Sequence, residues 1–149
     1  MPLYYGFLMV ADAIGSTGDA SVAEVETNSS TIAAYGIYEG SHLARLVLSN
    51  TEPWTGADEE GKTRPSTFLS ITLPSSSTSI KSARLKTLAV DSILSMKGLT
   101  WGGQSWETLS GLPSGEETFQ ALEVGSASGG GTTIGLKIDT SSVGIVYFD

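Results

Sequence analysis

The sequence predicts an all-β protein, an antiparallel β-sandwich of about eight or nine strands with one N-terminal helix. Charged residues make up only 16 % of the 149 residues, and serine, threonine and glycine take their place. Small polar residues of this kind suit turns and the solvent-facing positions of strands. Strand-like segments recur at roughly 8–12-residue spacing, as in sandwiches and barrels. Since no strand–helix–strand spacing accompanies them, a parallel sheet is not expected.

The segment Pro2–Ile14 carries the one convincing helical pattern. Pro2 occupies a position where the first helical turn tolerates proline, and Gly15 follows the last apolar residue as a stop signal. The apolar positions cover more than a single stripe of the helix surface. A helix of this composition is expected to be buried on several sides.

After Gly18 the chain changes to strand patterns. We predict strands over residues 20–27, 31–39, 42–49 and 142–148, with a hairpin turn at Gly40 and further strands between them. We expect one domain over 1–149, made of a helix within 2–15 and a sandwich over 19–149. The period-two rule predicts a set of inward-facing side chains: Tyr35, Ile37, Leu46, Leu48, Ile145 and Tyr147.

Charge and cysteine content exclude several classes of partner and site. The net charge is −8, so the chain repels phosphate, and we expect neither nucleic acid nor a membrane surface as a partner. The longest apolar run, "LYYGFLMVADAIG", contains Asp12 and is too short to cross a bilayer. There are no cysteines, which excludes disulfides and thiolate sites. The composition is typical of a secreted β-rich module.

The sequence shows no catalytic, metal or cofactor signature. The single histidine, His42, begins a predicted strand, and we expect it at the surface or a sheet edge, because no serine carries a nucleophile-elbow pattern. The adjacent acidic residues at 58–60 and at 116–117 are expected in solvated loops. Glycosidic cleavage requires two carboxyls about 5 to 10 Å apart across a cleft, which neighbours in one turn do not indicate.

The tryptophans allow two interpretations. Trp54, Trp101 and Trp106 lie in or beside loops and could form flat platforms for the apolar faces of sugars. Tryptophan also fills sandwich cores, with its N–H bonded at the rim. In "LTWGGQSWETL", Gly102 and Gly103 allow backbone angles that favour a bend between strands over a sugar platform. For Trp54 both interpretations stay open.

Several stretches together resemble a known family: "PLYYGFLMVADAIGSTG", "AAYGIYEGSHLARLVLSN", "LTWGGQSWE" and "SSVGIVYF". They are similar to the C-terminal β-domain of glycoside hydrolase family 79, whose enzymes, many of them fungal, include β-glucuronidases and are related to heparanase. The resemblance implies a β-sandwich that packs on a (β/α)₈ barrel, and the barrel carries both catalytic glutamates. Such a barrel needs about 200 residues or more. The resemblance therefore implies a non-catalytic accessory domain that acts through association, with no catalytic residue in this segment.

The resemblance also accounts for the apolar helix, because the last barrel helix of the family lies between barrel and sandwich. Where no barrel covers it, an outward apolar face would lie in water, so we expect a homodimer through Leu3, Tyr4, Phe7 and Leu8. Two alternatives stay open at this point. One is a secreted, lectin-like fungal protein that binds carbohydrate, and the other is a fragment of an active β-glucuronidase.

Overall fold

The computed structural model describes residues 2–56, 63–74 and 80–149; the acidic residues 58–60 lie outside them. Within these ranges the helix α1 is followed by ten strands. Their bounds are α1 (Pro2–Ile14), β1 (Ala20–Val25), β2 (Ile32–Glu39), β3 (His42–Asn50), β4 (Ser66–Leu73), β5 (Ala83–Ala89), β6 (Thr100–Trp101), β7 (Gln120–Leu122), β8 (Val124–Ser126), β9 (Thr132–Asp139) and β10 (Ser142–Phe148). No helix in these ranges is long and apolar enough to cross a membrane.

The strands form two antiparallel sheets, which confirms the predicted sandwich. The larger sheet has the order β1-β2-β3-β10-β5-β6, with β7 also paired to β5. The smaller sheet has the order β4-β9-β8. The strand number exceeds the expectation because the segment "TFQALEVG" divides at Glu123. Gln120–Leu122 pairs with β5 and Val124–Ser126 with β9, so the chain crosses from one sheet to the other there.

The main core lies between the two sheets. Leu46 and Leu48 of β3 face it, as the period-two rule predicts. Ile134, Leu136 and Ile138 of β9 alternate with exposed residues in the same way. This core holds the sheets together because each contributes a mainly apolar face.

A second core lies on the opposite face of the larger sheet, beneath α1. It contains Tyr5, Ala13, Ile37, Leu99, Trp101 and Ile145, with Tyr147 packed against it. Ile37, Ile145 and Tyr147 therefore face the helix and not the smaller sheet. Alternation separates the two faces of a strand, but it does not show that both faces of this sheet are covered.

The prediction for Tyr35 is wrong. Its side chain is 38 % exposed, on the same face of β2 as Ile37. Tyr35 pairs with Glu24 of the edge strand β1 and with Val47 of β3. Because Tyr35 lies outside the core that α1 forms with the sheet, it stays in contact with solvent.

Candidate functional site

Helix α1 has one buried face and one exposed apolar face. Tyr5 and Ala13 are buried against the larger sheet. On the other side Leu3, Phe7, Val10 and Ile14 are 75 %, 66 %, 55 % and 42 % exposed. Their spacing of three or four residues aligns them in one stripe, since a helix turns once in 3.6 residues. We call these four residues the outer stripe; Tyr4, at 41 % exposure, is a further exposed side chain of the helix.

A polar cluster fixes the buried face. One oxygen of the Asp12 carboxylate accepts hydrogen bonds from Lys86 Nζ at 2.6 Å and from Trp101 Nε1 at 2.7 Å. The Lys86 side chain is only 5 % exposed and also donates to Glu117 at 2.6 Å. A nearly buried ammonium needs such partners, because desolvation without them is costly. The cluster therefore fixes the rotation of α1, and with it the direction in which the outer stripe points.

The two carboxylates of this cluster are not arranged for glycosidic cleavage. A general acid must hold a proton for the leaving group, and its partner must reach the sugar. Here the ammonium of Lys86 lies between Asp12 and Glu117 and bonds to both. The ammonium therefore occupies the space between the two carboxylates. We interpret the cluster as structural.

Tyr5 fixes the N-terminal half of the helix. Its hydroxyl donates to the carbonyl of Leu99 at 2.6 Å and accepts the backbone N–H of Trp106 at 3.0 Å. Its ring meets the Trp106 ring edge to face, with 6.1 Å between the ring centres. The two loops before and after β6 are thus tied to α1 by one side chain.

Glu107 joins the same two loops. Its carboxylate accepts the backbone N–H groups of Gly98 and Leu99. These hydrogen bonds, that from Gly98 first, hold the pKa of Glu107 below its ordinary value, because they favour the ionised form.

The C-terminal end of α1 is held by Arg45. Its guanidinium donates to the carbonyl of Ala13 at 3.2 Å and pairs with Glu39 at 2.8 Å. Gly15, predicted as the helix stop, has φ +73°. The positive φ favours glycine, and a Cβ there would lie 2.7 Å from Arg45 Nη2, so the guanidinium would have to shift for any other residue.

The Gly-Gly pair forms the bend that the sequence favours. Trp101 and Gln104 exchange backbone hydrogen bonds of 2.9 and 3.1 Å across it. Gly102 and Gly103 both have positive φ, +54° and +79°, the pattern of a type I′ turn. A Cβ on Gly102 would lie 2.6 Å from Lys86 Cε, so the turn also leaves room for the lysine stem.

The three tryptophans do not form an open platform. Trp101 is 1 % exposed, which removes its ring from solvent. Trp106 is half-buried against Tyr5. Trp54 is half-buried elsewhere, where its backbone N–H donates to Ser141 Oγ at 2.7 Å. Exposed His42 begins β3, as expected.

Three of the four residues expected to mediate self-association are exposed. Leu3, Tyr4 and Phe7 face outward, whereas Leu8 is half-buried and packs against the second core. The outward set is therefore Leu3, Tyr4 and Phe7 with Val10 and Ile14. The residues 2–56, 63–74 and 80–149 contain no group of three His, Asp or Glu side chains that could hold a metal ion.

Sequence reasoning missed the Asp12–Lys86–Glu117 cluster. Two signals pointed to it: a lone acidic residue within an apolar helix, and a lysine within a strand at the centre of the chain. Neither signal predicts that these two side chains contact each other, because 74 residues separate Asp12 from Lys86.

This fold is similar to that of known proteins. The model of the glycosyl hydrolase family 79 C-terminal beta domain matches residues 34–143. A curated beta-glucuronidase of Neurospora crassa is 26 % identical, over 97 % of this chain and 32 % of its own length. The chain thus spans about a third of that relative.

A solved structure shows the same fold. It is a 4-O-alpha-L-rhamnosyl-beta-D-glucuronidase from Fusarium oxysporum, in complex with Rha-GlcA. The match has a TM-score of 0.76 and 24 % identity, and covers 97 % of this chain and 29 % of that one. Since the family match covers most of the sandwich, this chain belongs to the family of glycosyl hydrolase family 79 C-terminal beta domains.

Proposed function

We propose that this chain is a non-catalytic accessory domain of a family 79 glycoside hydrolase and acts through association, with the outer stripe of α1 as its contact with the catalytic domain. One observation carries the proposal. The same short helix has a face fixed by Asp12 and Tyr5 and an opposite face of four apolar side chains that are 42–75 % exposed.

Because the buried face of α1 is fixed, the helix cannot rotate to pack the outer stripe against the rest of the domain. Rotation of α1 would remove Asp12 from Lys86 and the Tyr5 hydroxyl from Leu99. Monomeric soluble proteins rarely expose a contiguous apolar patch above a few hundred Å². Burial of about 500 Å² of apolar surface would contribute on the order of 10 kcal/mol before the entropy cost of association. The stripe therefore fits a second apolar surface.

The two loops that contact Tyr5 of α1 also carry exposed leucines. Leu94, Leu109 and Leu112 are 67 %, 111 % and 66 % exposed on the loops flanking β6. Tyr5 and Glu107 tie these loops to the helix and to each other. The loops are therefore fixed relative to the helix.

The non-catalytic role is supported by the polar groups of the domain. Lys86 bridges the carboxylates of Asp12 and Glu117, so its ammonium occupies the space that a glycosidic bond would need between them. The activities named for the relatives belong to proteins of which this chain covers 32 % and 29 %.

The test mixes this chain with a separately produced catalytic part of the Neurospora crassa beta-glucuronidase and measures binding by calorimetry. We expect a complex, which Phe7→Lys weakens because an ammonium replaces an apolar contact. Phe68→Lys is the matched control, since Phe7 and Phe68 are both 66 % exposed but lie on different layers. The chain alone should not hydrolyse an aryl glucuronide. Equal binding by both variants, or turnover lost on mutation of a glutamate of this chain, would contradict the proposal.

A second candidate is self-association through the same surface. A single stripe along one helix is self-complementary in a two-fold dimer, because each copy offers the other the same face. Self-association is expected where no catalytic domain is present to bind the outer stripe. Light scattering of the isolated chain tests it.

A further inference from the structure

The outer face of the smaller sheet carries an exposed aromatic ring. This face is the one that β4, β9 and β8 turn away from the main core. Along β4 the even-numbered positions Ser66 to Thr72 are exposed, while Leu69 and Ile71 point to the core. Phe68 is 66 % exposed on this face.

The Phe68 ring extends across the sheet. Phe68 pairs with Lys137 of β9, and Ser70 with Gly135. A Cβ on Gly135 would lie 2.9 Å from Cζ of Phe68 and 3.4 Å from Cε2. The tip of the ring therefore leans diagonally over Gly135, in space that any other residue would fill. Gly125 of β8, paired with Thr133, adds a second position without a side chain on the same face.

A depression lies beside the ring. It has a volume of about 450 Å³ and is bounded by Phe68 on one side and by the β7–β8 corner on the other. Gly125 and Gly135 form part of its lining, with the hydroxyl-bearing Thr133. The exposed side chains of Gln120 and Glu123 line the corner.

We propose that this depression is a saccharide-binding site in which a neutral pyranose stacks on Phe68. The apolar C–H face of a pyranose fits an aromatic ring, and its hydroxyls fit a neighbouring amide, carboxylate and hydroxyl group. Glu123 lines the depression, whereas Lys137 lies on the same face outside the lining. The carboxylate and the net charge of −8 disfavour an anionic sugar. The site does not depend on the proposed function, because none of its lining residues belongs to α1 or to the second core beneath the helix.

The test follows backbone amide and aromatic NMR signals of the full chain during titration with cellobiose, mannobiose and chitobiose, and with glucuronic acid. We expect saturable shifts at Gly125, Gly135 and Phe68 with at least one neutral disaccharide, and weaker binding of glucuronic acid. Phe68→Ala should weaken binding about tenfold, as loss of one stacking contact implies. Tyr35→Ala, which removes an exposed ring from the other sheet, should leave binding unchanged.

Two further variants separate binding from folding. Phe68→Leu keeps an apolar side chain over Gly135 but removes the flat ring, so it should fold and still lose affinity. Glu123→Gln should retain binding to neutral sugars and improve that of glucuronic acid. No shift with any disaccharide at millimolar concentration, shifts confined to Trp54 or Trp106, stronger binding of glucuronic acid, or full affinity in Phe68→Leu would each overturn the proposal.

Discussion

Asp12 of α1 and Lys86 of β5 meet at 2.6 Å, 74 residues apart in the chain, and join the helix to the sandwich. The same carboxylate oxygen accepts the indole N–H of Trp101. Lys86 is 4 % exposed, with its ammonium 5.2 Å from the centre of the Trp101 ring. The helix therefore has a fixed orientation on the larger sheet, and its outer stripe points away from that sheet.

We predict that Asp12→Ala lowers the free energy of unfolding by about 2 kcal/mol, because it leaves Trp101 Nε1 and one side of Lys86 without an acceptor. The cost stays below that of a fully buried pair, since Glu117 still binds Lys86. Asp12→Asn keeps an acceptor oxygen and should cost about half as much. Urea unfolding measures both, with exposed Asp19→Ala as the control. If Asp12→Ala and Asp19→Ala are equally stable, the cluster does not hold the helix.

We predict that Gly102→Ala is more destabilising than Gly40→Ala, although both glycines have positive φ, +54° and +62°. The backbone strain alone costs about 1 kcal/mol. At Gly40 a Cβ meets no atom within 4 Å, whereas at Gly102 it meets the Lys86 stem at 2.6 Å. That stem cannot move aside, because its ammonium is held by two carboxylates. Overpacking should raise the Gly102→Ala cost to about 3 kcal/mol. Equal losses in thermal or urea unfolding would show that the stem yields freely.

The phenol of Tyr147 makes the free energy of unfolding depend on pH in the alkaline range. Burial, and then the nearby charge of Asp12, raise the pKa of Tyr147 well above its ordinary value of 10.0. Above this ordinary value the unfolded chain releases the phenolic proton while the folded chain retains it, so stability falls as pH rises towards the folded pKa. Tyr147→Phe should lose less stability between pH 10 and higher pH than the unmodified chain, and Tyr35→Phe should not. Parallel pH profiles for all three proteins would contradict this account.

The strands and the helix could be predicted from local signals, and their packing partners could not. Alternation predicts Leu46 and Leu48 as core residues, and the positions of Gly15 and Gly40 predict a helix stop and a hairpin turn. Alternation cannot tell which face of a strand a distant helix covers. It therefore does not predict that Ile37, Ile145 and Tyr147 face the helix, and it wrongly predicts Tyr35 as inward-facing. The transfer of the chain between sheets at Glu123 depends on pairing with β5 and β9, which no local pattern encodes.

The outer stripe and the depression beside Phe68 also depend on contacts between residues distant in the sequence, which local patterns do not predict. The apolar helix predicted an outward face, but only the position of Asp12 against Lys86 decides that Leu8 faces inward and Val10 and Ile14 outward. The aromatic interpretation favoured the tryptophans, because they are rare and large. The ring proposed for stacking is instead that of Phe68, and what distinguishes it is its position over Gly135, a residue distant in the sequence.

The most direct test of an association surface on α1 is the mass of the isolated chain by light scattering at micromolar concentration. In a solution of this chain alone, the outer stripe can be buried only against a second copy of the chain. We predict a species of twice the 15.5 kDa chain mass, which returns to a monomer in Leu3→Lys and Phe7→Lys but not in Phe68→Lys. A soluble monomer at every concentration, unchanged by Leu3→Lys and Phe7→Lys, would contradict the claim that this face of the helix is built for association.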